Sequence, residues 1–299
     1  MGASGVCFFS NCDTMKPSNT PDEILLGDGT RLHILYEDRS VMAIDKPFGW
    51  MFVPLGWSRT DKNLQLALES SIRESPYWVR QRNLKYLRYV HRLDADTTGV
   101  VLLAKSQGAL QTFSDLFEQR LVEKRYLAVV EGKPHKPEWR CELPLGSTTG
   151  PRTRVLVDAE AGRSAITDFK VLESSKVRTL VEARPLTGRT HQIRVHLAEA
   201  GYPIVGDVLY GPDSSKQSRK TPDSRPVHRR QSAPHEELPP RKDGRKNLLP
   251  ELGLRSVGLT YRDPFTNRTV HIEAPTFEFL ARFGFSAKPQ ARMSETTSP

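Results

Sequence analysis

Two carboxylates, Asp94 and Asp96, stand two residues apart in the polar stretch His91-Arg92-Leu93-Asp94-Ala95-Asp96-Thr97-Thr98. On an extended backbone such residues share a face about 7 Å apart. That spacing suits the paired carboxylates of a glycoside hydrolase. The plainer reading is that Asp94 caps a turn or pairs with Arg92. A second group follows in Arg189-Thr190-His191-Gln192-Ile193-Arg194. On a helix, His191 and Arg194 share a face at i, i+3. Arg189 falls at the turn into that helix, where outward backbone N–H groups make a natural phosphate position. An arginine beside a buried aspartate offsets the cost of burying it and lowers its pKa. Tyr126 sits in an apolar run. It offers a ring to stack on a base and a hydroxyl to pass a proton, or it simply packs in the core.

These residues need a scaffold, and the pattern around them predicts one. Val100 to Ala104 is a continuous apolar run after Gly99, which reads as a buried strand fed by the polar loop. Leu64 to Ile72 has helical spacing, and Gly108 to Leu121 repeats Leu110, Phe113, Leu116, Phe117 and Leu121 as an amphipathic helix. Strands are predicted at 32–36, 41–44, 126–130, 153–157, 164–172 and 179–183, with a hairpin at 257–261 and 269–272. A helix is predicted over 190–200, capped by Thr190, ended by Gly201 and barred from continuing by Pro203. Many strands with few helices, and no regular βαβ alternation, predict an α+β fold.

Composition narrows the class. The chain has 299 residues, 37% of them hydrophobic, enough for a core with some unpacked sequence. The formal charge is +9, which favours a polyanionic partner. Much of that charge lies in 211–248, which holds ten Lys and Arg, five Asp and Glu and six prolines. This stretch is expected to be a disordered basic insert. Residues 1–30 and 286–299 are expected to be tails around a domain at 31–285. Cys7, Cys12 and Cys141 make neither a disulfide framework nor a zinc site, which suits a reducing cytoplasm. No apolar run reaches membrane-spanning length.

Three motifs in order give the chain a family resemblance. His91-Arg92-Leu93-Asp94, followed by a polar link, Gly99 and an apolar strand, resembles the signature of the RluA-type pseudouridine synthases. Glu123-Lys124-Arg125-Tyr126-Leu127-Ala128 resembles the segment carrying that family's active-site tyrosine. Leu186-Thr187-Gly188-Arg189-Thr190-His191-Gln192-Ile193-Arg194 resembles its third motif. Ile44-Asp45-Lys46-Pro47 and Gly201 to Asp207 also fit. The resemblance implies one catalytic domain on a bent, mixed, mainly antiparallel sheet. It implies that Asp94 is the catalytic aspartate, Tyr126 the active-site tyrosine and Arg194 the arginine that pairs with Asp94. His91, Arg92, Arg189 and His191 are the expected RNA contacts, with Arg92 helping to fill the space left by a flipped base.

The implied reaction isomerises uridine to pseudouridine in ribosomal or transfer RNA and needs no cofactor or metal. A monomeric, cytoplasmic enzyme without membrane contact is expected. Two other readings stand beside it: an RNA-binding protein of the same fold with lost catalysis, and the carboxylate-pair hydrolase. One position departs from the family pattern. Leu254-Arg255-Ser256 stands where relatives usually have Leu-His-Ala, which bears on one pocket wall.

Overall fold

The computed structural model describes residues 22–52, 62–148, 154–212 and 251–286. In chain order its strands are β1 (Glu23–Leu25), β2 (Arg31–Glu37), β3 (Val41–Lys46), β4 (Arg88–Tyr89), β5 (Thr98–Ala104), β6 (Glu123–Glu131), β7 (Glu138–Cys141), β8 (Leu145–Ser147), β9 (Val155–Val157), β10 (Thr167–Ser174), β11 (Arg178–Pro185), β12 (Leu254–Arg262) and β13 (Thr269–Glu273). The helices are α1 (Leu64–Glu74), α2 (Tyr77–Gln81), α3 (Gln107–Glu118), α4 (Gln192–Glu199) and α5 (Phe277–Phe283). One mixed sheet runs β1-β2-β3-β5-β12-β6-β11-β10-β7, with β4 beside β5 and β13 beside β12. The hairpin β8–β9 stands apart from it. The fold is α+β, as the element pattern predicts.

The apolar run Val100–Ala104 is fully buried, because both faces of β5 are covered. Val101 and Leu103 pack with Ile24, Leu32, Leu64, Leu68 and Trp78. Val100, Leu102 and Ala104 pack on the other face with Phe113 and Tyr261. Burying each large side chain here stabilises the fold by about 1.5–3 kcal/mol. The helices that close these faces are capped from the sequence. Asn63 accepts from the Leu66 N–H at the start of α1, and Ser106 from the Ala109 N–H at the start of α3, both at 3.1 Å. Strand β6 divides its side chains in the same way. Ala128 and Val130 face Ile193 and Leu197 of α4, while Leu127 and Val129 pack with Leu280 of α5.

One pairing organises the site. Strands β5 and β6 are neighbours in sequence but not in the sheet, because β12 lies between them, parallel to β5 and antiparallel to β6. Arg255 and Ser256 pair with Thr98 and Gly99. The approach is close: a Cβ on Gly99 would lie 1.9 Å from the Ser256 carbonyl oxygen, and Gly99 has φ +109°. Only glycine accommodates both conditions.

Two expectations are corrected here. Residues 1–30 do not all form a tail, since Glu23–Leu25 pairs antiparallel with Arg31–His33 and buries Ile24. Helix α4 begins at Gln192, not Thr190, and its N-cap is His191 in the left-handed region, φ 54°, with no side-chain cap. The stretch 213–248 of the expected insert, residues 1–21 and 287–299 lie outside the described residues, as do Cys7 and Cys12.

Candidate active site

The loop from Asp94 to Thr97 is a turn, closed by the Thr97 N–H donating to the Asp94 carbonyl at 3.1 Å. The backbone is therefore not extended. The extended alternation that the spacing of about 7 Å assumed does not apply, although Asp96 still feels the charge of Asp94. Lys46, at the end of β3, holds the turn from behind. It has no solvent exposure, and its Nζ donates to the carbonyls of Pro47, Ala95 and Thr97 at 3.0, 2.9 and 2.8 Å. Three acceptors around one nitrogen match the three N–H bonds of an ammonium. Burial pulls the Lys46 pKa down to about 7, against Asp96, Asp94 and Asp45, which raise it. Burial also raises the pKa of Asp96, opposed by Arg194 and Lys46.

Across the cleft, α4 presents Arg194, whose side chain is 2% exposed. Its principal partner is not the one expected. Nε and Nη2 donate to the two carboxylate oxygens of Asp207, both at 2.8 Å. Asp207 Oδ1 also accepts from the Leu209 and Tyr210 backbone N–H groups. Arg194 Nη1 faces Asp94 Oδ2 at 3.7 Å. One guanidinium thus serves two carboxylates: a fork closed on Asp207 and a free edge toward Asp94. Burial works against the charge on Arg194, but Asp207, Asp94 and Asp96 hold its pKa up. Burial likewise opposes the charge on Asp207, yet Arg194 and the two backbone donors leave its pKa lowered.

The turn before α4 is built by Gln192. Its side-chain oxygen accepts from the Thr187 hydroxyl at 2.7 Å and the Arg189 N–H at 3.0 Å. Its amide nitrogen donates to the Ile166 carbonyl and the Thr167 hydroxyl, both at 2.9 Å. Thr167 in turn meets His196 Nδ1 at 3.0 Å, and His196 Nε2 meets the Leu143 carbonyl at 3.0 Å. This neutral network fixes the turn before α4 but does not cap the helix, which has no side-chain cap. The Thr190 hydroxyl instead accepts from Arg92 at 3.4 Å, bridging the two loops.

Asp94, Tyr126 and Arg194, distant in sequence, line one cavity of about 470 Å³ with Arg92, Lys124 and Arg189. That volume lies within the range of small-ligand sites, roughly 300–1,000 Å³. Tyr126 reaches it from β6, paired with Ser256 on one side and Ala183 on the other. Burial, with Asp94 adding to it, pushes the Tyr126 phenol up to about 12. Burial pulls Lys124 down to about 8, and Arg120 pulls the same way. Arg92 is exposed at the rim, while Arg189 is half-buried and its Nε donates to the Ser164 carbonyl at 3.1 Å. His91, expected among the RNA contacts, lines the cavity and is also tied into the fold. Its Nε2 accepts from the Leu102 N–H at 3.1 Å and its ring stacks on Phe117. Burial, with Lys124 helping, lowers its pKa to about 3. Among the described residues, no group of three or more His, Cys, Asp or Glu is placed to hold a metal ion.

Residues 40–199 match the family described as RNA pseudouridylate synthase. An uncharacterized RNA pseudouridine synthase of Zymomonas mobilis is 39% identical over 60% of this chain and 78% of its own length. The dual-specificity RNA pseudouridine synthase RluA of Vibrio cholerae is 34% identical over 60% of this chain and 69% of its own. The chain belongs to the RluA-type RNA pseudouridine synthases. It spans only 52% of another relative, the ribosomal large subunit pseudouridine synthase D of Nitrosomonas europaea, at 38% identity over 62% of this chain. The fold is shared with human RNA pseudouridylate synthase domain containing 4, at TM-score 0.57 and 23% identity, covering 81% of this chain and 87% of that one.

Within this RluA-type synthase the departure at Leu254-Arg255-Ser256 has a structural account. Leu254 lines the cavity, while Arg255 turns to β3 and donates to Asp45 at 2.5 Å and to the Pro275 carbonyl at 3.0 Å. The departure therefore ties β12 to β3 behind the cavity. Sequence reasoning missed Lys46, Asp207 and Gln192 as builders of the site. All three stand inside the quoted motifs. For Lys46 and Asp207 the readable signal was a charge closing a segment with apolar residues; Gln192, in a polar stretch, carried none.

Proposed function

We propose that this chain isomerises a uridine in structured RNA, ribosomal or transfer, to pseudouridine, with Asp94 as the catalytic carboxylate. The observation that carries this is the meeting of Asp94, Tyr126 and Arg194 in one cavity from three distant motifs. The reaction breaks the N1–C1′ bond of uridine and forms a C5–C1′ bond; the C5 hydrogen leaves as a proton and N1 takes one up. The atoms balance without oxidant or reductant. The base must first leave its stack, at a cost of a few kcal/mol. Arg92, Arg189 and Lys124 at the cavity supply phosphate attraction toward that end. Arg194 keeps Asp94 beside a cation throughout. Tyr126 offers a ring for the flipped base and a hydroxyl whose raised pKa keeps it a donor at neutral pH.

The test uses total RNA labelled with [5-³H]uridine, from cells lacking the gene. The full chain should release tritium as C5 loses its hydrogen. Asp94→Asn keeps the side-chain size and removes the charge. Its single-turnover rate should fall roughly 10³-fold or more, with RNA affinity nearly unchanged because phosphate contacts dominate binding. A rate within a few-fold of wild type would remove Asp94 from the mechanism. Absence of tritium release by the unaltered chain, with RNA still bound, would favour the reading as a binding protein.

A further inference from the structure

Asp94 Oδ2 faces two nitrogens at nearly equal distance, Arg194 Nη1 at 3.7 Å and His191 Nε2 at 3.8 Å. Arg194 is clamped, because Asp207 takes its Nε and Nη2. His191 is held differently. Its Nδ1 meets the Tyr210 hydroxyl at 2.8 Å, and that hydroxyl oxygen already accepts the Val155 N–H at 3.1 Å. The same Tyr210 ring lies under the Arg194 guanidinium, 5.3 Å from centroid to Cζ. The contacts close a ring from Asp94 through Arg194, Asp207, Tyr210 and His191 back to Asp94.

Hydrogen-bond accounting favours one place for the proton in this ring. The Tyr210 oxygen receives Val155, so its own proton is free to go to His191 Nδ1. Nδ1 is then an acceptor, and the imidazole carries its proton on Nε2. That is the nitrogen facing Asp94. The other tautomer would aim an Nε2 lone pair at a carboxylate and strand the Tyr210 proton. We propose that Tyr210 and His191 form a relay that presents an imidazole N–H to the Asp94 carboxylate, with His191 a positioning residue of the isomerisation and Tyr210 the residue that sets its tautomer.

The local backbone is arranged for this. His191 has φ 54°, a region that non-glycine residues enter rarely and at some cost. The Gln192 network holds it there, so the ring sits between Tyr210 and Asp94 instead of along the helix. At 3.8 Å the Nε2 contact is electrostatic. Hydrogen bonds of this kind are often long before substrate binds and tighten in the complex. Asp94 has the freedom to move, since its side chain is 28% exposed.

The kinetic part of this inference rests on the proposed isomerase activity; the tautomer part does not. The full chain, labelled with ¹⁵N-histidine and free of RNA, is examined near neutral pH by long-range ¹H–¹⁵N spectroscopy, with His191→Gln identifying the resonance. The wild type should show protonated Nε2 and bare Nδ1, and Tyr210→Phe should lose that preference while keeping the ring under Arg194. In the tritium-release assay Tyr210→Phe should slow the single turnover roughly ten- to a hundredfold, with RNA affinity within about twofold. His191→Gln, which retains an N–H donor, should keep more of the rate than His191→Ala. A proton on Nδ1 in the wild type overturns the relay. So does a Tyr210→Phe protein with wild-type rate. Should Tyr210→Phe fail to fold, the wild-type spectrum and the Gln–Ala comparison decide the matter. Should the wild type release no tritium, the isomerase reading falls and the spectrum alone decides the relay.

Discussion

The two halves of the sheet hold their functional loops by opposite means. In the half built on β1–β5, the Asp94 turn is gripped by the buried ammonium of Lys46, spread over three carbonyls. In the half built on β6, β11, β10 and β7, the turn before Arg194 is gripped mainly by neutral groups, Gln192 with Thr187, Thr167 and His196, and Lys124 Nζ adds one bond to the Thr187 carbonyl at 3.0 Å. A buried charge is costly to desolvate and costly to remove. A neutral network is cheaper on both counts. The difference follows the loops' contents. The first loop carries carboxylates, so a cation behind it offsets their repulsion. The second carries Arg189 and Arg194, and its ammonium, Lys124, reaches a single carbonyl with its pKa pulled down to about 8 by burial and Arg120.

The sharpest way to break this comparison is to remove the charge. Lys46→Met takes a donor from three carbonyls, of which Ala95 keeps the Gly49 N–H, and should cost about 3–5 kcal/mol of stability, read from urea unfolding. That is a large share of the roughly 5–15 kcal/mol a domain possesses. A loss below about 1 kcal/mol would show that the ammonium is not what holds the loop. Gln192→Leu removes four hydrogen bonds in the other half and should cost less, about 2–3 kcal/mol. A loss equal to that of Lys46→Met in the same titration would erase the distinction between charged and neutral anchoring.

Acid sharpens the comparison further. The folded pKa of His91 is about 3, against 6.5 for the free side chain. Between these values the unfolded chain binds more protons, so the stability is present above about pH 6.5 and drains away as pH falls toward 3. At about pH 5 the loss attributable to His91 is about 2 kcal/mol. Denaturant unfolding at neutral pH and at about pH 5 should show wild type losing that much more than His91→Gln. An equal loss in both would mean that other groups carry the acid sensitivity.

What could be read in the sequence was what one segment encodes by itself. The run Val100–Ala104, the spacing of α3, the Tyr126 strand and the hairpin of β12 and β13 each follow from local pattern. Short or featureless pieces could not be read so. Glu23–Leu25 has too few residues to show alternation, and Glu138–Cys141 alternates over only four. The site shows the same division. Asp94, Tyr126 and Arg194 are legible through motifs. The fork of Arg194 on Asp207 depends on how α4 meets the turn after it, and the burial of Lys46 on a loop about fifty residues away in sequence. His91 shows the limit most plainly. Its place beside Asp94 suggested RNA contact, and it does line the cavity, but its bond to the Leu102 N–H and its stacking on Phe117 are fixed only by the fold.

The insertion of β12 between β5 and β6 also governs when the protein can act during its own synthesis. The ribosome makes β5 and β6 one after the other, yet they cannot lie side by side in their final places until residues 254–262 exist. A nascent chain that stops short of them holds Asp94 in one unfinished sheet and Tyr126 and Arg194 in another. Such fragments can fold their local hairpins but cannot form the cavity. The active arrangement is therefore withheld until almost the whole described chain has been translated, and truncated products are silent by topology.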